Sequence, residues 1–237
     1  MKKYLKKLNF LFLIPIIFVY TSNAFGAAAV KYVNTVYMVS LCETGSTASS
    51  CLNPTILGSQ SAGTSMDLGA VEAGSAAASM GNTSALKFGT TYTYGQVVLN
   101  RSFQASGSDG SCQTSDTAAA GTKTAFAVGK SGTDTDELQT IMIPTSTGNG
   151  AALNGSPNAT NATTGDSAAG ALDADDDYIK FRWELASPFT PEPGVMPTMT
   201  ITFDISGSLN FNGTCGGSAG TTNGITPGAP VITNSFN

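Results

Sequence analysis

Residues Thr90–Phe103 read TTYTYGQVVLNRSF. No proline interrupts this run of β-branched and aromatic side chains, Gly89 precedes it, and turn-forming residues Ser106–Gly110 follow. Successive side chains of an extended chain point to opposite faces. Tyr92, Tyr94 and Val98 therefore fall on one side, and Val97, Leu99 and Phe103 on the other. A strand apolar on both faces belongs inside a sheet or between two layers. The segment predicts the central strand of a β-sandwich.

Working outward, Ala29–Leu41 (AVKYVNTVYMVSL) reads as an earlier strand, with Val33, Tyr37, Val39 and Leu41 on one face and Val30, Tyr32, Val36 and Met38 on the other. Thr55–Leu57 predicts a short edge strand, Met66–Val71 another strand, Gly74–Gly81 a small-residue loop, and Leu86–Phe88 a brief strand. Lys123–Val128 and Glu137–Ile143 follow as strands. Tyr178–Leu185 (YIKFRWEL) has the strictest alternation: Tyr178, Lys180, Arg182 and Glu184 face one way, and Ile179, Phe181, Trp183 and Leu185 the other. Trp183, the single tryptophan, is expected in the core. Prolines 188, 191, 193 and 197 predict a rigid connector. Thr198–Phe211 predicts one long strand or a hairpin broken at Gly207, and Pro230–Phe236 a last strand. Residues 145–177 are rich in Thr, Ala, Asn and Gly and poor in large apolar side chains, which predicts a long loop insertion, with a short helix conceivable at Ser167–Asp175. The expected fold is all-β: a single antiparallel β-sandwich, Ig-like or jelly-roll-like, over residues 29–237.

Residues 1–24 carry the pattern of a signal peptide. Lys2, Lys3, Lys6 and Lys7 precede an apolar core, FLFLIPIIFVY at Phe10–Tyr20, and Ser22-Asn23-Ala24 supplies small residues for cleavage after 24; a second candidate site follows Ala28. The core is too short for a membrane span of roughly 20 residues. The chain has 11 basic and 16 acidic residues; loss of the leader leaves seven against 16, a net charge of −9. Such a surface repels nucleic acid and anionic membranes. The expected location is the periplasm, cell surface or exterior of a Gram-negative bacterium.

Four cysteines in an exported chain predict disulfides. Cys42 and Cys51 flank a short polar loop and are paired on that ground, which pairs Cys112 with Cys215 by elimination. The sequence contains no histidine, which excludes Ser-His-Asp and Cys-His catalytic units and most zinc sites. Asp173, Asp175, Asp176 and Asp177 form the one acidic cluster, a candidate Ca²⁺ site beside the simpler reading of a solvated turn before Tyr178. Glu184 is a candidate acid for glycoside hydrolysis, but no second carboxylate is paired with it by spacing. Tyr92, Tyr94 and Trp183 are weighed as a carbohydrate-stacking platform against core packing. Asn82, Asn158, Asn161 and Asn212 stand in Asn-x-Ser/Thr triplets, meaningful only in a glycosylating pathway.

Phe236 is penultimate, and Gly224 lies fourteen residues from the end, counted inclusively. The tail Gly224–Asn237 thereby resembles that of chaperone–usher fimbrial subunits, although Pro230 and Asn234 stand where that family's alternation is apolar. The resemblance implies a donor strand ahead of the fold, for which Ala29–Leu41 is the candidate; its other reading is the first strand of its own sandwich. More loosely, the chain resembles exported β-sandwich surface proteins of Gram-negative bacteria. The functional expectation is a non-catalytic structural or adhesive cell-surface protein, as a fimbrial or filament subunit assembling by strand exchange or with another surface partner. The alternative is a carbohydrate- or calcium-binding module. No other cofactor is expected.

Overall fold

A computed structural model describes residues 29–48, 50–69, 82–144, 160–161, 176–195, 197–218, 220, 224–228 and 230–236. The leader, the Gly74–Gly81 loop and the Ser167–Asp175 helix expected from the sequence lie outside these residues, as does most of the 145–177 insertion.

The described chain is all-β. In order it runs β1 (Ala29–Glu43), β2 (Thr55–Asp67), β3 (Tyr92–Asn100), β4 (Ser102–Gly107), β5 (Cys112–Gln113), β6 (Lys130–Ser131), β7 (Gln139–Met142), β8 (Thr160–Asn161), β9 (Tyr178–Phe189), β10 (Met199–Asp204), β11 (Leu209–Asn212), β12 (Gly224–Pro227) and β13 (Val231–Phe236). A single 3₁₀ turn, Thr83–Ala85, stands between β2 and β3.

The registers show how the main sheet is built. Val33 pairs with Gln104 of β4 and with Asp67 of β2, while Val36 pairs with Leu99 of β3 and with Thr64 of β2. β3 and β4 therefore lie end to end along one edge of β1, and β2 takes the other edge. Residues 92–107 form one long antiparallel run interrupted at Arg101. On its far side the run forks: β9 pairs with β3 and β7 with β4. The segment Thr90–Phe103 is thus central, as expected, and the central run continues to Gly107.

β10–β13 and β11–β12 make two-stranded sheets of the second layer. Their inward side chains Met199, Ile201, Phe203, Phe211, Ile232 and Phe236 pack against a buried cluster of Val39, Leu41, Val97, Ile179, Phe181, Trp183 and Leu185. All four apolar positions of the Tyr178–Leu185 alternation are buried, and burial of such side chains is the main favourable term in folding. β9 leaves β3 between Glu184 and Phe189. There the amide of Ala186 donates to Asn234 Oδ1 on β13 (3.2 Å), and the Phe189 and Phe236 rings stack at 3.8 Å. The inward Asn234, out of place in an apolar alternation, supplies the acceptor that an unpaired strand amide needs.

Several expectations are corrected. On β1 the buried set runs Tyr32, Val36, then Val39 and Leu41, because a bulge between Val36 and Met38 moves the core face from even to odd positions. Tyr92 leaves the face of Tyr94 and Val98 in the same way: the register shifts between Tyr92 and Tyr94, and Tyr92 joins the core, its hydroxyl bonded to Thr55 Oγ1. Thr55–Leu57 and Met66–Asp67 are the two ends of a single strand, β2, and the chain turns at Leu68–Gly69 where the Met66–Val71 strand is expected to continue. The Gly/Ser/Ala middle of β2 has no apolar alternation, so β1 and not local pattern makes it extended. Leu86–Phe88 is not a strand; Leu86 closes the 3₁₀ turn that Asn82 caps. Lys123–Val128 holds isolated bridges, Thr122 with Ala125 and Ala127 with Ile225. Thr198–Phe211 splits into β10 and β11, which enter different sheets. Asp204 Oδ1 accepts from the Ser206 amide (2.9 Å) and Ser208 donates to the Ile205 carbonyl (2.7 Å), turning the chain between them.

Gly95, on β3 opposite Trp183, has the indole lying over its Cα: a Cβ there would stand 2.2 Å from Cζ2. Gly95→Ala is expected to cost about 1–3 kcal/mol through overpacking and to shift the Trp183 fluorescence to the red. A urea melt with the emission spectrum recorded at each point measures both.

Candidate functional site

Both expected disulfides form. Cys42–Cys51 has a Cα–Cα distance of 5.1 Å and Cys112–Cys215 one of 5.6 Å, within the ordinary range. Cys42, at the end of β1, is fully buried, and its bridge closes the loop leading to β2. Cys112 is positioned by Asp109, whose Oδ1 accepts from the amides of Ser111 (2.9 Å) and Cys112 (2.7 Å). Desolvation pushes the Asp109 carboxyl up, but the Cys112 and Ser111 donors outweigh it and hold the group below its ordinary value.

The fork in the main sheet is built around Arg101. An arginine at this point of the long strand is 1% exposed. Nε donates to the Ile143 carbonyl, Nη1 to the Asp176 carbonyl at 2.9 Å, and Nη2 to the Lys123 carbonyl at 3.4 Å. The main chain joins in: Arg101 N donates to Asp177 O (2.9 Å) and Ile143 N to Arg101 O (3.3 Å). The planar guanidinium thus ties together the end of β7, the start of β9 and the loop at Lys123. Ile143 lies just before the 145–177 insertion and Asp176 at its end, so Arg101 clamps both of its ends to the sheet.

That clamp defines the surroundings of the candidate Ca²⁺ residues. Asp173 and Asp175 lie outside the described residues. Asp176 is fully buried at the Arg101 fork, and the Asp177 carboxylate pairs with Lys123 Nζ at 2.6 Å. Among the described residues, no group of three or more His, Cys, Asp or Glu side chains converges.

The outer face of the main sheet, opposite the second layer, carries a second arginine. Registers place Ser40, Gln96 and Arg182 side by side on β1, β3 and β9. Gln96 Oε1 accepts from Arg182 Nε (2.6 Å), Gln96 Nε2 reaches Ser40 Oγ at 3.5 Å, and Arg182 Nη1 donates to Ala48 O at 3.4 Å, within the disulfide-closed loop. Arg182 is 6% exposed, where the alternation alone placed it in solvent. Desolvation pushes its pKa down. Glu184, two residues on, is exposed.

The aromatic platform does not assemble. Tyr92 and Trp183 are buried in the core, while Tyr94 is half-buried on the opposite face. Asn82 caps the 3₁₀ turn, its Oδ1 accepting from the Ser84 amide (2.9 Å), and Asn212 donates to Thr226 Oγ1 (2.6 Å). Asn161 falls in β8, and Asn158 lies outside the described residues. Gly224 has a local reason to be glycine: its φ is 135°, and a Cβ would stand 2.4 Å from the Ala127 carbonyl oxygen.

The loops that carry Leu52 and Phe88 are tied together through Glu43. Glu43 Oε2 accepts from Asn53 Nδ2 (3.0 Å) and Oε1 from Lys87 Nζ (3.0 Å), while the Gly89 amide reaches the Pro191 carbonyl (3.2 Å). Three loops are thereby joined, and Leu52 (43% exposed), Phe88 (62%) and Val195 (55%) project from them.

Sequence reasoning missed Arg101 and Arg182. The signal was present at Arg101, a single cation in a run apolar on both faces. At Arg182 it was not, because a charge on the polar side of an alternation looks like solvent. Comparisons with protein-family models, with curated proteins and with solved structures each find no match.

Proposed function

We propose that this chain is an exported, non-catalytic structural or adhesive protein that works by presenting a covalently stapled β-scaffold at the surface of a Gram-negative cell. The two disulfides fit an oxidising compartment, and no described helix is long and apolar enough to cross a membrane. The observation that carries the reading is the end formed by the loops of Leu52, Phe88 and Val195. The Cys42–Cys51 bridge closes the first loop, the Glu43 contacts tie it to the second and the Gly89–Pro191 bond ties in the third, yet they hold large apolar side chains in water. Rigid exposed apolar groups are the kind of surface that a partner covers.

This reading places adhesion or assembly at the loops and not at β1. Ala29–Leu41, the candidate donor, is paired along both edges within its own chain. Donating it to a neighbour would dismantle the sheet it centres.

The test uses the mature protein purified after export. Electron microscopy is expected to show assemblies, or whole cells to bind the protein, and Leu52→Ser with Phe88→Ser is expected to reduce this at least tenfold with an unchanged circular dichroism spectrum. A double variant that assembles and adheres like wild type refutes the reading.

A further inference from the structure

With the leader removed, seven cations remain in the chain. Lys87, Lys123 and Lys130 are ion-paired with Glu43, Asp177 and Glu137, Arg101 holds the fork, and Lys31 stands exposed on β1. Lys180 and Arg182 are different. They stand two residues apart on β9, hence on the same outer face, opposite Val98 and Gln96. Among the described residues neither is ion-paired with a carboxylate. Arg182 is nine-tenths buried all the same, with Nε on Gln96 and Nη1 on the Ala48 carbonyl.

A guanidinium withdrawn from water without an anion is costly, and its planar N–H fork matches the two oxygens of a carboxylate. The geometry leaves a way to satisfy it. Gln96 fixes the ring of donors at Nε with a short bond (2.6 Å), whereas the Ala48 contact, at 3.4 Å, lies at the long end of hydrogen-bond range. Exchanging that carbonyl for a charged, bidentate acceptor improves the contact.

We propose that Arg182 and Lys180, with Gln96 as the positioning residue, bind the carboxylate of a small acidic ligand on the outer face of the main sheet, beneath the Cys42–Cys51 loop. The carboxylate takes the Nη side of Arg182 in place of the Ala48 carbonyl, and Lys180 supplies the second positive charge. The site goes beyond the structural reading above and does not depend on it, since the loop-end residues Leu52 and Phe88 are not part of it. A chain of net charge −9 draws in acids poorly at long range, so binding here requires the local pair. The class of ligand is a carboxylate-bearing small molecule such as an acidic sugar.

Glucuronate is the probe, with glucose as the uncharged control, titrated calorimetrically into the mature protein at neutral pH and low salt. Saturable binding of glucuronate and none of glucose is expected. Lys180→Gln should weaken it about tenfold, the loss of one charge-assisted contact, and Arg182→Gln should abolish it. If Arg182→Gln fails to fold, the Lys180→Gln titration and its salt dependence still decide. No binding by wild type, equal binding of glucose, or full affinity in Lys180→Gln overturns the proposal.

Discussion

Replacing Arg101 by methionine is expected to remove about 3–5 kcal/mol of stability, the largest loss from any single substitution considered in this protein. Methionine keeps the length and apolar stem of the side chain but donates no hydrogen bond. The buried carbonyls of Ile143 and Asp176 would each lose a charged donor, and the half-buried carbonyl of Lys123 would lose a longer one. A buried acceptor left without a partner costs about 1–3 kcal/mol, and two such groups with the half-buried third set the range. Because a domain is stable by only about 5–15 kcal/mol, the variant should sit near the edge of folding. Arg101→Lys is expected to recover less than half of the loss. An ammonium is a compact donor and cannot span three carbonyls on different segments. Urea denaturation of the three proteins measures this; a methionine variant within about 1 kcal/mol of wild type would show that the fork stands without the clamp.

The second large effect concerns the cross-link between Cys112 and Cys215. The bridge closes a loop with a sequence separation of 103, against 9 for Cys42–Cys51. Loop-closure entropy puts the longer at about 4–5 kcal/mol and the shorter at about 2–3 kcal/mol. Replacing Cys112 and Cys215 together by alanine should therefore cost more than replacing Cys42 and Cys51 together. The long bridge joins the β5 turn to the segment after β11, two stretches far apart in the chain. Urea midpoints of the two double variants under non-reducing conditions test the order. A greater loss for the Cys42–Cys51 pair would mean that the fully buried Cys42 acts mainly by packing, since its sulfur is withdrawn from water and that of Cys215 is not.

Both effects bear on function through the same link. The proposed surface acts by being rigid, and rigidity at Leu52 and Phe88 depends on the closed loop and on the sheet behind it. The Arg182 site depends on the same loop, because Ala48 belongs to it.

The residues that alternate in the chain announced their own roles. Ile179, Phe181, Trp183 and Leu185 are inward because an extended chain has a period of two, and no tertiary information was needed to say so. The same holds for the central place of Thr90–Phe103, apolar on both faces, and for the pairing of Cys42 with Cys51 across a short polar loop. Tertiary structure alone decided where the pattern changes phase. The bulges at Tyr37 and Thr93 arise from how β1, β2, β3 and β9 are paired, and each moves whole sets of side chains to the other face. β2 is extended only because β1 lies beside it. The two arginines belong to this second group. Charge is a property of the residue, but burial is a property of its neighbours. Only the fork at β7 and β9 made Arg101 a clamp, and only the loop carrying Ala48 made Arg182 a cation withdrawn from water.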